Sequence, residues 1–139
     1  MTRSNVELAR GAFEAIGERG LDGALEFMDP EVEFEPPEDA IEQGGTFKGH
    51  AAVRERWDLL LEPFDDVRIE VEDFVEAPDG RVVALFRVRG RGRASGAPVE
   101  MRLAHVITVR DGKAVRLKAY LDPDEAVRAV GLEPQSSQP

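Results

Sequence analysis

The feature that most constrains this chain is a series of apolar residues that recur at every second position through its C-terminal half. This alternation marks residues 67–71, 82–88, 99–109 and 115–121. A period of two is typical of strands with one buried face. Turn signals separate the segments: APDG at 77–80, GRGRASGAP at 90–98 and RDGK at 110–113. The sequence therefore predicts four long strands joined in an antiparallel meander.

Helical spacing marks the rest of the chain, where apolar residues recur every three or four positions. A first helix is predicted to start near Ser4 or Asn5 and to end at Gly20. The other predicted elements are a short helix that Pro30 stops, an extended segment at 31–35, a loop at 36–49, a helix at 50–64 and a last helix at 122–132. We expect the helices to pack on one face of the sheet.

Two features predict that the sheet bends. Phe74 and Val75 are consecutive apolar residues that break the alternation and indicate a bulge, and glycines lie at 90, 92 and 96. The sequence thus predicts an α+β domain in which a strongly curved antiparallel sheet closes around the N-terminal helix and leaves an apolar pocket.

The composition excludes several classes of function. The chain of 139 residues predicts one domain, and its net charge of −10 disfavours nucleic acid and anionic membranes as partners. Thiolate chemistry is excluded because there is no cysteine, and the two histidines, far apart in sequence, form no local metal motif. We expect no metal and no cofactor. The charged N-terminus lacks an apolar run typical of a signal peptide, so we expect a cytoplasmic protein.

Four segments carry a resemblance to a known family: FEAIGERGLDGALEFMDPEVEFE, GGTFKGHAAVRERW, RGRGRASG, and HVITVRDGKAVRLKAYLDPDEAVRAVGL. Over residues 4–132 the chain resembles the SnoaL-like branch of the nuclear transport factor two-like (ketosteroid isomerase-like) superfamily. The resemblance implies a cone-shaped, cystatin-like fold, a single SnoaL-like domain at 1–132 with a polar tail at 133–139, and a homodimer formed through the outer sheet face. Its members include isomerases, dehydratases, cyclases, epoxide hydrolases and proteins without catalytic activity.

The resemblance also implies catalytic positions. The base of ketosteroid isomerase ends the short first strand, and by similarity this position falls on Glu35. The carboxylic acid that binds the oxyanion in that enzyme corresponds to His105, while a polar group of the SnoaL cyclases corresponds to Asp122. Since this chain has no tyrosine near Phe13, where the family's oxyanion tyrosine would fall, steroid isomerisation is disfavoured.

Each of these residues also has a structural interpretation. His105 shares a strand face with five apolar residues, so it either lines a cavity or is a core histidine bonded to a neighbour. Glu35 is either a general base or part of a solvated acidic edge strand. Asp122 stands before a proline at a helix start, which favours an N-cap.

Bulky apolar residues are predicted to form the wall of the pocket. They are Phe13, Phe34, Trp57, Phe86, Met101, Leu103, Leu117 and Leu121.

The stripe of arginines at 87, 89, 91 and 93 is interpreted as cross-strand ion pairing with Glu70, Glu72 and Glu100 rather than as a nucleic-acid site.

The leading hypothesis is a small-molecule pocket protein, a cofactor-independent isomerase, lyase or cyclase that acts by proton transfer on an apolar carbonyl compound. His105 and Glu35 would be its polar pair. One alternative is a non-catalytic ligand-binding or dimerisation domain. Another is an epoxide or ester hydrolase, which would need a positioned water held by several polar groups.

Overall fold

Four helices and six strands occur in the computed structural model, which describes residues 4–37 and 46–133. The helices are α1 (Asn5–Arg19), α2 (Leu21–Leu25), α3 (His50–Leu61) and α4 (Pro123–Ala129). The strands are β1 (Met28–Glu35), β2 (Phe47–Lys48), β3 (Phe64–Glu76), β4 (Val82–Gly92), β5 (Pro98–Arg110) and β6 (Lys113–Tyr120). Among these helices, none has the length and apolar character required to cross a membrane.

The first helix has the predicted ends. The Ser4 side chain accepts a hydrogen bond from the backbone N–H of Glu7, and the Glu7 side chain accepts one from the backbone N–H of Ser4. This reciprocal pair is a capping box. Gly20 has a φ of 73°, a left-handed conformation that ends α1 and starts α2. The predicted start and end of α1 are therefore confirmed.

Three predicted boundaries were wrong. The helix expected to continue to Pro30 ends at Leu25, because residues 28–35 pair with neighbouring strands instead. Phe64 begins β3 rather than ending α3, since Pro63 lacks the backbone N–H that another helical turn requires. Part of the predicted loop, residues 47–48, forms strand β2, and residues 38–45 of that loop lie outside the described residues.

The sheet has the strand order β2-β1-β6-β5-β4-β3. Strands β3 to β6 form the predicted antiparallel meander, so the α+β prediction is confirmed. Strand β1 differs, because it joins β6 in parallel. The register of β3 with β4 shifts between Asp65 and Arg68 and again between Val71 and Asp73. The second shift lies just before the predicted bulge at Phe74 and Val75.

The two faces of the sheet pack against different helices. On the inner face, apolar residues of β1 and β4–β6 form the main core with α1, α2 and α3. On the outer face, a smaller cluster packs Val83, Ala104 and Val106 against Ala126 and Val127 of α4. The expectation that all helices lie on one face was therefore wrong for α4, whose apolar side covers the outer face.

Ion pairs cover another part of the outer face. Glu72 contacts Arg87 at 2.7 Å and Arg102 at 2.9 Å, while Glu100 lies 3.3 Å from both Arg87 and Arg89. Burial opposes ionisation of Glu72, but the two arginines outweigh it and hold the pKa of this carboxyl below its usual value. The predicted cross-strand pairing of the arginine stripe is confirmed for Arg87 and Arg89.

Replacing either of two helical glycines by alanine is expected to change protein stability in opposite directions, because the space around the two glycines differs. A Cβ added at Gly23 would lie 2.8 Å from the backbone oxygen of Ala15, whereas one added at Gly17 would meet no atom within 4 Å. We expect Gly23→Ala to lower the free energy of unfolding by about 1–3 kcal/mol, because α1 and α2 must move apart. Gly17→Ala should instead raise it by up to about 1 kcal/mol.

Urea unfolding of both variants measures the difference between these matched substitutions. Equal stability of the two variants would contradict the close packing of α2 on α1.

Candidate functional site

A cavity lies between the inner face of the sheet and helices α1 and α2. Its volume is about 40 Å³. Apart from His105 and Trp57, the residues that line it are apolar. Small residues contribute the space, notably Ala9 and Ala12 from α1 and Ala24 from α2. The sequence prediction of an apolar pocket beside the N-terminal helix thus corresponds to an observed cavity, although a small one.

His105 lies in the middle of β5 with its ring on the inner face. Its cross-strand neighbours are Ala84 on β4 and Ala119 on β6, so small side chains on both sides leave room for the imidazole. The ring contacts the aromatic rings of Phe86 at 4.9 Å and Phe34 at 5.7 Å, measured between ring centroids. Only 5% of the residue is exposed.

The electrostatic state of His105 follows from its surroundings. Burial among apolar residues disfavours the charged ring and lowers the pKa of His105 to about 4. The ring is therefore neutral at pH 7, with one nitrogen that donates a hydrogen bond and one that accepts. Within residues 4–37 and 46–133, neither nitrogen has a hydrogen-bond partner. The interpretation of His105 as a core histidine bonded to a neighbour thus finds no support in the described part of the chain.

Trp57, on α3, is the second polar group at the cavity. Its ring packs edge-to-face on His105 with 6.0 Å between centroids, and only 6% of the residue is exposed. The indole N–H is buried and has no hydrogen-bond partner among the described residues. Buried donors without partners are uncommon in native proteins. In the described part of the chain, two adjacent polar side chains at the cavity, Trp57 and His105, therefore lack a hydrogen-bond partner.

Glu35 does not reach this cavity. In β1, Val32 and Phe34 point into the core, so the strand alternation turns Glu35 toward the outer face. There its carboxylate forms ion pairs with Arg116 and, at 3.9 Å, with Lys118. The catalytic pair of Glu35 and His105 was therefore wrong, because the two side chains lie on opposite faces of the sheet.

Asp122 does not line this cavity either. Its side chain accepts a hydrogen bond of 2.9 Å from the backbone N–H of Asp124, which makes it the N-cap of α4. This agrees with the structural interpretation of its sequence context.

The predicted wall residues divide into three groups. Phe13, Trp57 and Leu117 line the cavity. Phe34, Phe86 and Leu103 are buried in the same core without lining it, and the first two contact the His105 ring. Met101 is half-buried and pairs with Val88, toward one end of β5, while Leu121 is 52% exposed. The assignments of Met101 and Leu121 to the pocket were wrong.

Sequence reasoning missed the small residues that create the cavity. Nothing in the sequence marked Ala9, Ala12, Ala24 or Ala114 as cavity residues. Alanine is common in helices for its own conformational reasons, so it carries no signal for an empty space.

Among the described residues, no group of three or more histidine, aspartate or glutamate side chains is placed to hold a metal ion. The polar side chains at the cavity offer hydrogen bonding and proton transfer by a neutral imidazole, next to an indole donor.

Comparison with known proteins relates this fold to a family. An uncharacterised protein of Mycobacterium tuberculosis is 28% identical over 123 residues, which cover 86% of this chain and 91% of that protein. A nuclear transport factor two-like protein of unknown function from Burkholderia pseudomallei has a TM-score of 0.73 at 25% identity, covering 94% of this chain and 99% of that one.

A second solved structure is that of TerC co-crystallised with polyporic acid. It has a TM-score of 0.71 at 28% identity and covers 91% of this chain and 96% of that one. The family model of the SnoaL-like domain matches residues 9–117, which include α1 except its first turn and every strand except the end of β6. Because this match spans most of the sequence, the chain belongs to the SnoaL-like domain family.

Proposed function

We propose that this protein binds a small, uncharged organic molecule whose carbonyl or hydroxyl oxygen lies beside His105 in the inner cavity. The observation that carries the proposal is the buried, neutral imidazole without a hydrogen-bond partner among the described residues, in an otherwise apolar cavity. An oxygen of the bound molecule would accept a hydrogen bond from the ring N–H. A hydroxyl group of that molecule could also donate a hydrogen bond to the other ring nitrogen.

The guest is expected to be uncharged at this end. Moving an ion into an apolar cavity is unfavourable unless an opposite charge compensates it, and His105 is neutral at pH 7. No other ionisable side chain lines the cavity among the described residues. A hydrolase would need several polar groups to position a water, and this lining does not supply them.

Solved relatives support small-molecule binding. The structure of TerC, at 28% identity, was obtained with polyporic acid. A protein with this fold and this degree of similarity is therefore associated with an organic small molecule.

Proton transfer on a carbonyl compound is the second candidate function, favoured by the neutral imidazole that the cavity holds. The acceptor nitrogen would take a proton from the carbon next to the carbonyl, and the electrons of that bond would shift to the carbonyl oxygen as an enolate. The ring would then return the proton to a different carbon or to the oxygen, so that atoms and charge balance. No cofactor takes part in this step.

Acetone and 2-butanone test the proposal, with the imidazole ¹⁵N resonances as the readout. The chain has two histidines, so His50, whose Nε2 lies 3.0 Å from the backbone oxygen of Met28, serves as an internal control. We expect the ketone to shift the His105 resonances and to leave those of His50 unchanged. His105→Leu should weaken ketone binding by about 5–10-fold, which corresponds to the loss of one hydrogen bond of about 1 kcal/mol.

A conservative variant separates binding from catalysis. His105→Gln keeps a donor and an acceptor but cannot carry the proton, so it should bind the ketone and fail to catalyse exchange of the ketone α-protons for deuterium. Ketone affinity that is the same in native protein and His105→Leu would refute the proposed site. Exchange that continues in His105→Gln would refute the proton-transfer role alone.

A further inference from the structure

An open cleft lies next to the inner cavity, between the end of α1, the end of α3 and the start of β3. Its volume is about 390 Å³. Leu61, Val67 and Ile69 give it apolar walls, while Asp58 and Arg68 also line it and the exposed Gly17 and Gly20 lie at its edge. This cleft is therefore accessible from solvent.

Three side chains separate the cleft from the cavity. Ile16, Leu21 and Trp57 line both spaces, so the partition between them is one side chain thick. It consists of side chains from α1, α2 and α3 rather than of sheet backbone. Side-chain rotamers exchange rapidly compared with backbone rearrangements, so rotation of these groups can connect the two spaces.

The cavity alone is too small for most organic molecules, so they would need additional space. At about 40 Å³ the cavity has room for about three water-sized groups, enough for a carbonyl and its adjacent carbons. Binding sites for small organic molecules usually measure about 300–1,000 Å³, a range that the neighbouring cleft reaches and the cavity does not.

Trp57 supplies a second, independent indication of a ligand at this boundary. The residue belongs to both spaces and is 94% buried, since 6% of its surface is exposed, yet its indole N–H has no partner among the described residues. A buried N–H without an acceptor is unfavourable, so a hydrogen bond to a ligand oxygen would stabilise it. A ligand that crosses the partition would bring its oxygen past this N–H on the way to His105.

We infer that the cleft and the cavity form one elongated binding site, with the partition of Ile16, Leu21 and Trp57 between its two parts. The oxygen-bearing end of the ligand lies at His105, and its apolar body lies in the cleft. The ligand class is thus an elongated, uncharged molecule with an aliphatic or aromatic body and a terminal carbonyl or hydroxyl group. This inference rests on the proposed binding of an oxygen at His105.

A homologous series of methyl ketones tests it: 2-butanone, 2-hexanone and 2-octanone. Trp57 is the chain's single tryptophan, so its fluorescence reports binding at the partition, and calorimetry gives an independent affinity. The affinity of the native protein should rise by up to about fourfold for each methylene that enters the cleft. The ratio of the octanone to the butanone affinity is the quantity to compare between variants.

Leu61→Glu replaces part of the apolar wall of the cleft by a carboxylate and should reduce this ratio by at least tenfold. Leu59→Glu is the matched control on the same helix, because Leu59 is 57% exposed and lines neither space. Gly17→Phe provides a second obstruction that the fold should accommodate, since a Cβ at Gly17 meets no atom within 4 Å. It should reduce the ratio in the same direction.

The outcomes separate this inference from the proposed function. If short and long ketones bind with equal affinity and this binding requires His105, the proposed function stands and the elongated site is wrong. A ratio unchanged in both Leu61→Glu and Gly17→Phe also overturns the elongated site. If none of the ketones binds, both proposals fail.

Discussion

Acidification from pH 7 to pH 4 should destabilise the native protein by about 3 kcal/mol more than it destabilises His105→Leu. The pKa of His105 is about 4 in the folded protein, below its ordinary value of 6.5. Between these values the unfolded chain binds a proton at this residue and the folded chain does not, so falling pH favours unfolding. The effect is absent above about pH 6.5 and reaches its limit near pH 4.

Urea unfolding at intervals of half a pH unit measures this difference. The many carboxylates of the chain also titrate at acid pH, but they are present in both proteins and cancel in the comparison. At pH 7 the variant should be no less stable than the native protein, because leucine removes a buried polar group without a partner in the described residues. Parallel stability curves would show that the ring is solvated or paired in solution.

Phe86→Ala should lower the free energy of unfolding by about 3–5 kcal/mol, the usual effect of truncating a buried phenylalanine. Phe86 has no exposed surface, and its ring contacts those of Phe13, at 5.2 Å between centroids, and His105. Because domains of this size are stable by only about 5–15 kcal/mol, this variant would lose a large share of its stability.

The substitution also enlarges the empty space beside His105. A dry apolar cavity can bind benzene, so benzene should raise the Tm of Phe86→Ala more than that of the native protein. Leu59→Ala, at a residue 57% exposed, is the control and should change stability by less than about 0.5 kcal/mol. A small effect of Phe86→Ala, comparable to this control, would mean that the core around His105 is loosely packed.

The long strands and α1 could be predicted from sequence because their signals are local. The alternation through β3 to β6 and the capping residues Ser4 and Gly20 each act within a few positions. The boundary at Pro30 could not be predicted in this way. Residues 28–35 form a strand because β6, far along the chain, pairs with them, and this pairing overrides the local helical spacing.

Among the residues predicted to be catalytic, only the one that contradicted its own strand pattern lies at the cavity. His105 was recognised because it is a polar residue on an apolar strand face, and it does line the cavity. Glu35 and Asp122 were assigned by similarity of position to the family. Such similarity specifies neither that the Glu35 side chain lies on the outer face of the sheet nor that the Asp122 side chain caps a helix. Alternation with Val32 and Phe34 already placed Glu35 opposite to the core, so its orientation could have been read from β1 itself.

The parallel pairing of β1 with β6 has a consequence for biosynthesis. Strands β1 and β2 emerge early from the ribosome, but β6, the second neighbour of β1 in the sheet, emerges only after β3, β4 and β5 have been made. Until then the edge of β1 has no partner within the described sheet, and contacts so distant in sequence form slowly. The sheet can therefore be completed only late in translation, and until then β1 would expose an unpaired edge to chaperones and other nascent chains.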